Sequence, residues 1–430
     1  MSTTAYNNAE VFLQQLQDKD VAQQYQDEAV FMNEIAEGIP GNWVNQKGYE
    51  ITSEFAPDPS HGYITAGGSE PAGGSNEYAK MYVGYARYRK TIDIDNDTYD
   101  DMNAGKEAAL VSVSDKVARV NASAIREMEE AAMGDGVGRK AVVGAGSSTT
   151  NVVLTTTPTL TPTTSKGAQF LYKNHRYALY DSSNALREAN IVAAAVGKQG
   201  TTPFLTPVTT LSVTPASTDF LVLYDAGSGS SINRVHRGIR YLINNTNALF
   251  QGLLPTTYPE LRAPMEDLNG APLQPSHIMR LKNKIKYRKG IKPGSVALLI
   301  LGSLTQLEAY ARTGINFMQL QMGQQWDGTV NNIGMGDSKI MPTTTIDDDC
   351  LAFVNKPDLK KIQKRKWGFI QDGTGFKWKQ KQGTNGTGAD AVYANLGADL
   401  NFYVKQRSAH GMIVRAALTD LSTEATAWAS

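Results

Sequence analysis

From Ala104 to Met133 the sequence AGKEAALVSVSDKVARVNASAIREMEEAAM carries apolar side chains at Leu110, Val113, Val117, Val120, Ala124 and Met128. Steps of three and four residues put them in one narrow stripe, so the stretch is predicted to be a single long helix with its polar residues on the opposite face. Asn103 is suited to cap its start, and Gly134 and Gly136 to end it. At about 1.5 Å per residue the rod would be on the order of 45 Å long. So thin a stripe cannot be buried all round. The predicted helix is a beam, with sheet on one side and solvent or another chain on the other.

The rest of the chain is long enough, at 430 residues, for two or three domains around such a beam. Its 42 basic and 42 acidic side chains cancel, so bulk charge points to neither nucleic acid nor membrane, and only local charge matters. Cys350 is the single cysteine, which excludes an internal disulfide, and His61, His175, His236, His277 and His410 lack metal-ligand spacing. Both facts fit a reducing cytoplasm. The N-terminal MSTTAYNNAEVFLQQ has no secretory pattern, so export is not expected. The most apolar run, Val296 to Leu301, is far shorter than the ~20 residues of a membrane span.

Ahead of the beam, residues 9–35 are rich in Gln, Glu and Asp with intermittent apolar anchors. They read as helical pieces of an acidic arm, which either docks on a neighbour or packs as a helix on its own core. Residues 49–94 read as a two-stranded excursion: GYEITSEF, a Gly- and Pro-punctuated tip, and a long return, YAKMYVGYARYRKTIDI. Tyr82, Tyr85 and Tyr88 stand there beside Arg87, Arg89 and Lys90, residue types that grip a partner surface. An isolated hairpin is marginal in water, so the excursion either leans on a neighbour or lies along its own domain. Asp93 to Asp97 resembles the start of a calcium loop, but Thr98 stands at the sixth position and Ala104 at the twelfth, so an acidic helix cap is expected instead. GDGVGRKAVVGAG follows a helix rather than preceding one, which is the wrong order for a phosphate cradle.

Beyond the beam, residues 149–237 turn to Thr, Val, Ser and Pro, with short strand-like runs suited to a small β barrel or sandwich. Ser276 then opens a predicted helix, HIMRLKNKIKYRKG, with Ile278, Leu281 and Ile285 on one face and Arg280, Lys282, Lys284, Lys286, Arg288 and Lys289 on the rest. That face calls for anions, whether nucleic acid or the acidic groups of a neighbouring subunit, unless it is simply solvated. SVALLILGS reads as a buried strand. Lys360, Lys361, Lys364 and Arg365 form a second basic cluster near Trp367 and Trp378, which fits either an exposed edge or single-strand stacking. LNFYVKQRSAHGMIVRAAL closes the chain as one extended, half-apolar segment.

No catalytic motif is found: there is no zinc-binding His pair on a helix, no serine elbow and no Rossmann fingerprint. Asp347 to Asp349 would raise the thiol of Cys350 and disfavour a nucleophile. Neither enzyme activity, nor a cofactor, nor a catalytic or metal residue is expected.

The order of parts, together with YRKTIDIDNDTYDDM leading into the helix, GIRYLINNTNALFQGLLPTTYPELRAP and SAHGMIVRAAL, resembles the major capsid proteins of tailed double-stranded DNA bacteriophages. The resemblance implies an α+β capsid fold. Residues 1–47 would be an N-terminal arm, 48–94 the extended E-loop, 95–149 a peripheral domain with a spine helix, and 150–237 a β-rich insertion. Residues 238–340 would be the axial domain, and 341–430 a return to the peripheral domain. It also implies pentamers and hexamers of an icosahedral shell, sequence-independent enclosure of double-stranded DNA, a separate scaffolding protein, a portal, and a decoration protein as an optional partner. The expected location is the virion capsid, assembled in the host cytoplasm without a membrane. Tyr82, Tyr85, Arg87, Tyr88, Arg89 and Lys90 would touch the neighbouring subunit. Lys282, Lys284, Lys286, Arg288, Lys360, Lys361, Lys364 and Arg365 would face phosphate or a neighbour. An encapsulin-like compartment is the alternative from the same fold, and a β-rich surface adhesin a more distant one. Some family members link an E-loop lysine covalently to a neighbour's asparagine, whereas Pro57 to Glu77 here contains no lysine. Purified particles should therefore run as single subunits on a denaturing gel, and ladders of subunit multiples would contradict this.

Overall fold

The structure, a computed structural model, describes residues 29–38, 48–56, 74–103, 107–155, 168–197, 203–225, 229–289, 298–310, 339–371, 378–382 and 388–417, with short pieces at 21, 23–24, 43–44 and 227. Two compact units are built from interleaved stretches of chain. One comprises Met1–Glu37, Tyr85–Ala132 and Lys361–Asn401; the other comprises Gly38–Gly84, Met133–Lys360 and Phe402–Ser430.

In the first unit the beam is α3 (Glu107–Met133), 27 residues long. It is preceded by α2 (Asn96–Asn103), whose start is capped by Asp95: the carboxylate accepts the Thr98 N–H at 3.1 Å and its hydroxyl at 2.7 Å. These bonds hold the Asp95 carboxyl below its usual range. The acidic run is thus a cap, as its failed calcium spacing predicts. The buried face of α3 carries Val113, Val117, Ala124, Ile125 and Met128, and Val120 is half-buried. Leu110 and the proposed cap Asn103 have side chains outside the described residues.

One member of the buried stripe is polar. Asn121 is fully buried, accepts the Trp367 indole N–H at 2.7 Å and donates to Gln24 Oε1 at 2.8 Å. Both Trp367 and Trp378 are buried, which removes them as stacking platforms for single strands.

Against this helix lies a sheet ordered β16 (Leu359–Phe369), β18 (Gly388–Val404), β17 (Trp378–Gln382), with β4 (Ala86–Asp95) also paired to β18. β4 and β18 run antiparallel in register from Asp95 with Ala391 to Ala86 with Leu400. The contact with α3 is explicit at Lys116, whose Nζ donates to the Asp93 carbonyl at 2.5 Å.

The described end of the N-terminal segment, residues 29–35, packs on its own chain, the second of its two predicted alternatives. Phe31, Met32 and Ile35, in and just after α1 (Val30–Glu34), are buried. Lys361 Nζ donates to the Met32 carbonyl at 3.0 Å, and the Phe31 N–H donates to Glu129 Oε1 at 2.9 Å. The apolar anchors suffice because α3 and β16 supply polar partners for the backbone that the arm alone would leave open.

In the second unit, β1 (Trp43–Val44), β2 (Gly48–Ala56) and β3 (Glu77–Val83) form a three-stranded sheet. The predicted single return strand is broken at Gly84–Tyr85: β3 joins this sheet and β4 the other, so one register never runs the full length. The base of the excursion is fastened within its own unit. Tyr82 N–H donates to the Gln251 carbonyl at 2.9 Å, Ser53 Oγ to the Lys405 carbonyl at 3.0 Å, and the Phe55 and Tyr258 rings lie 4.6 Å apart. Its tip, residues 57–73, lies outside the described residues.

The Thr-rich segment forms a barrel. β5 (Arg139–Val142), β6 (Val152–Val153), β7 (Arg176–Tyr180), β8 (Leu186–Gly197), β9 (Phe204–Pro207) and β10 (Phe220–Asp225) pair in the order β5-β10-β7-β8-β9-β6, with β11 (Gly229–Ser230) on β10. The antiparallel bridge from Val143 to Leu154 closes the ring between β5 and β6. Alternate residues point inward, as period two demands: Ala141, Tyr177, Leu179 and Leu221 enter one core, while Ala178, Tyr180, Phe220 and Val222 form a second cluster outside it. Closure leaves those two strands without free edges.

The remaining sheet is ordered β12 (Met265–Asp267), β19 (Gly411–Val414), β15 (Leu351–Asn355), β13 (Leu298–Gly302), β14 (Lys339–Pro342). β13 is buried throughout, as SVALLILGS predicts. The helix α5 (Pro275–Lys289) covers the sheet with Ile278, Leu281 and Ile285. The chain's close is not one extended segment: a 3-10 turn at Arg407–Ala409 separates β18 from β19, which lie in different sheets. No described helix is long and apolar enough to cross a membrane.

Glu129 gives the docking of α1 a testable handle. Burial raises its carboxyl above the usual range against the opposing pull of the Met32 and Phe31 N–H groups. The proton therefore stabilises the folded state at low pH, and this contribution is lost as pH rises through the raised value. Glu129→Gln keeps an acceptor without the buried charge and should be neutral or stabilising at pH 7. Glu129→Ala leaves the two N–H groups without that acceptor and should cost about 1–3 kcal/mol in urea unfolding.

Candidate functional site

Strand alternation divides the six residues predicted to grip a partner. Tyr88 and Lys90 point to α3, where the Tyr88 hydroxyl donates to Glu127 Oε2 at 2.5 Å and Lys90 Nζ sits 2.9 Å from Glu127 Oε1. Burial, with Glu127 adding to it, holds the Tyr88 phenol well above its ordinary value, so it stays a donor. Arg87 and Arg89 lie on the other face of β4, and Arg87 is exposed. Tyr82 stands apart on β3, bonded through its backbone to Gln251.

The second basic cluster converges on this face of β4 and β18. Arg89 Nη2 lies 2.5 Å from Asp399 Oδ1, and Arg365 Nε lies 4.0 Å from Asp399 Oδ2, so one nearly buried carboxylate is shared by two arginines. Lys364 Nζ sits 5.9 Å from the centre of the Tyr85 ring, a cation–π contact. Lys364, Arg365 and Lys366 are all exposed. Lys361 instead turns inward to Met32, and burial lowers its amine despite the opposing pull of Glu37. Lys360 is half-buried. Tyr85, Arg89, Lys364 and Arg365, nearly 280 residues apart in sequence, thus form one aromatic and cationic patch. Gly397 makes it possible: a Cβ there would lie 2.6 Å from the Tyr88 carbonyl oxygen and 2.8 Å from Arg89 Cδ.

The basic helix α5 is partly neutralised from within. Arg280 and Lys284 both reach the buried Glu266 of β12, Arg280 at 3.1 Å, and Arg288 Nη1 donates to the Arg262 carbonyl at 3.3 Å. Lys282 and Lys286 are half-buried on the other flank.

Two buried arginines and the partners they gather went unread in the sequence. Arg240, at the heart of α4 (Ile239–Leu242), places Nε 2.6 Å from Asp347 Oδ2, Nη2 2.8 Å from Cys350 Sγ and Nη2 3.7 Å from Asp349 Oδ1. Burial opposes the Arg240 charge, but Asp347, Cys350 and Asp349 outweigh it and hold the guanidinium protonated. Burial pushes the Cys350 thiol well up, Arg240 pulls against it, and Asp349 and Asp347 add to the rise. The expected direction holds, with burial as its first cause. Asp347, Asp349 and Cys350 lie close enough to ligate a cation. The guanidinium already supplies that charge, and a second cation would be repelled, so the cluster is an internal ionic lock.

Arg407 has carbonyls rather than a carboxylate. Its Nε donates to Leu242 at 2.9 Å and another nitrogen to Tyr241, and its guanidinium lies 3.9 Å from the centre of the Phe250 ring. Burial lowers it to about 10 while Tyr241 raises it, so it stays charged at neutral pH.

No protein-family model and no curated protein matches the chain. Among solved structures, the capsid asymmetric unit of Cyanophage A-1(L) is similar over 90% of this chain and 93% of its own, with a TM-score of 0.50 and 12% identity. The chain has the phage capsid fold. Mycobacterium phage Patience matches over 94% of this chain and 88% of its own at a TM-score of 0.42 and 10% identity. A virus-like particle from Pyrococcus furiosus matches over 93% and 98% at 0.39 and 6%. The α+β class expected from the sequence is therefore the class found, in the fold that the resemblance named.

His236 provides the acid-sensitivity test of this capsid fold. It is fully buried against the edge of Phe402, 6.2 Å between ring centres, and neither nitrogen has a hydrogen-bond partner among the described residues. Burial lowers its imidazole to about 4, against roughly 6.5 in an unfolded chain. The unfolded state then binds more protons between those values, so stability is full above pH 6.5 and falls toward pH 4. Urea unfolding should lose on the order of 2 kcal/mol from this residue between pH 7 and pH 4.5. His236→Met should flatten that share of the pH dependence.

Proposed function

We propose that the chain is the major coat subunit of a tailed bacteriophage, a structural rather than a catalytic protein. Copies assemble into pentamers and hexamers of an icosahedral shell that encloses double-stranded DNA. The observation that carries this reading is the capsid fold, matched to the Cyanophage A-1(L) capsid chain over nine-tenths of both chains. In this reading residues 1–47 are the arm, 48–94 the E-loop, 95–149 the peripheral domain with α3 as spine, 150–237 the insertion, whose barrel takes β5 from the preceding segment, 238–340 the axial domain, whose sheet takes β15 and β19 from the last segment, and 341–430 the return.

The surface chemistry supports the same job. Lys364, Arg365 and Lys366 leave an exposed positive patch on a chain of zero net charge, enough for sequence-independent tolerance of phosphate and too little for tight retention of one sequence. Arg87 and Tyr85 beside it offer a contact for a neighbouring copy. Scaffolding and portal proteins are the further partners, and the virion capsid assembled in the host cytoplasm is the location.

The test is the composition of native particles. The chain should be the dominant protein of closed shells seen by negative stain, with nuclease-protected double-stranded DNA inside. Shells holding an enzyme cargo and no DNA, or a chain that stays monomeric at every concentration in the native lysate, would overturn the assignment.

A further inference from the structure

The sequence holds two Asn–Gly pairs, Asn269–Gly270 and Asn385–Gly386, and the first lies among the described residues. Asn269 at φ 48° and Gly270 at φ 83° stand between Leu268 and Ala271, and the Ala271 N–H donates to the Leu268 carbonyl at 2.8 Å. That is the pattern of a type I′ turn, which selects Asn then Gly because both central residues need positive φ. The turn follows β12, and both of its central residues are exposed. A Cβ on Gly270 would meet nothing within 4 Å, so no side chain screens its nitrogen from water. The side-chain amide of Asn269 makes no hydrogen bond among the described residues.

Asparagine is chemically labile, and a following glycine offers the least hindered backbone nitrogen for attack on its side-chain carbonyl carbon. The attack forms a bond from Gly270 N to Asn269 Cγ and expels the side-chain nitrogen as ammonia. Water then opens the resulting succinimide to aspartate or isoaspartate, and no oxidant, metal or cofactor enters the balance. Gly270 must first give up its N–H proton to base. In the folded chain that proton is held: the Gly270 N–H donates to the Arg415 carbonyl at 2.8 Å, and the Leu268 N–H to the Val414 carbonyl at 3.0 Å. The Arg415 side chain grips the same turn through Asp267, with Nε 2.7 Å from Oδ1 and Nη2 bonded to Oδ2. Asp267 Oδ1 also accepts the Asn269 N–H at 3.0 Å. The residue after β19 thus clamps the turn by backbone and side chain together.

We propose that Asn269–Gly270 is a deamidation site that Arg415 keeps latent, and that it reacts when the end of β19 lets go of the turn. Local opening of this kind is the ordinary motion of an exposed sheet edge. The reaction makes it permanent. Aspartate at 269 sets a second carboxylate beside Asp267. Isoaspartate adds one carbon to the main chain ahead of Gly270, so the bonds from Ala271 to Leu268 and from Gly270 to Arg415 no longer close in one register. Each deamidated chain then carries a chemical record that the edge of the sheet beneath α5 has opened. This inference goes beyond the reading of the chain as a shell subunit and does not rest on it.

Peptide mass spectrometry of the full chain, aged at mildly alkaline pH with and without urea, tests it. In urea Asn269 and Asn385 should lose their amides at similar rates, whereas in native buffer Asn269 should react many-fold more slowly than in urea. Arg415→Ala should raise the native rate at Asn269 several-fold while circular dichroism shows the chain still folded. Asp267→Asn, which keeps an acceptor for the Asn269 N–H and removes the ion pair, should do the same. The deamidated fraction, separated by its added negative charge, should exchange the amide hydrogens of residues 268–271 faster than the intact chain. The proposal is overturned if native Asn269 reacts as fast as in urea, if both folded variants keep the unaltered rate, or if Asn269 stays intact in urea while Asn385 reacts. Unchanged hydrogen exchange after deamidation would equally overturn the permanent opening.

Discussion

The pairing of β4 with β18 is the constraint on which the first unit depends, because it joins residues about three hundred positions apart. Arg89 Nη1 reaches the Ala398 carbonyl at 3.0 Å across 309 residues of sequence. The chain between β4 and β16 must leave the sheet and come back to it, and closing so long a loop is entropically unfavourable. What offsets that cost is a continuous buried surface: Ile92 and Ile94 on one strand, and Ala394, Leu396, Ala398 and Leu400 on the other, are all buried. The barrel in the second unit is the opposite case. Its six strands all lie between Arg139 and Asp225, so its loops are short and its core can close before the long ladder does.

Four buried ions among the described residues are each met by an opposite charge or by several carbonyls. Arg240 has two aspartates and a thiol, Asp399 has two arginines, Glu266 has Arg280 and Lys284, and Arg407 has carbonyls and a ring face. Such locks add little net stability over an apolar core, yet removing one partner leaves a charge stranded, so each pins the elements it joins in one arrangement. Arg240 joins α4 to the stretch before β15, and Glu266 joins β12 to α5.

Much of this was legible in residue order, where one periodicity ran undisturbed. The 107–133 helix, the basic helix and the buried strand at 298–302 each carry a pattern set by their own neighbours in sequence. The barrel was legible as many short strands between turns, while its closure was not, since the bridge from Val143 to Leu154 follows from packing. Asn121 shows why a polar residue in a helix stripe misleads: its burial depends on Trp367, 246 residues away. The break at Gly84–Tyr85 was hidden because extended chain on either side has the same period. The contacting residues were legible as types and illegible as partners. Tyr88 and Lys90 were read as grips, and their carboxylate came from a helix whose facing side no local pattern could show.

These internal partners change how assembly has to be understood. A hairpin and an arm that lacked support would order only on meeting a neighbour, making folding and association a single event. Here the arm segment around α1 and the base of the excursion already have their hydrogen bonds at Glu129, Lys361, Gln251 and Lys405. In the proposed shell, association through the described residues would be the docking of surfaces that exist beforehand, without the ordering cost of a disordered segment. The rates and partner choice of preformed, charged surfaces are governed by electrostatics, which ionic strength screens over roughly 8–10 Å. In the proposed shell, weak and reversible contacts of that kind would let a misplaced copy leave before the shell closes around it.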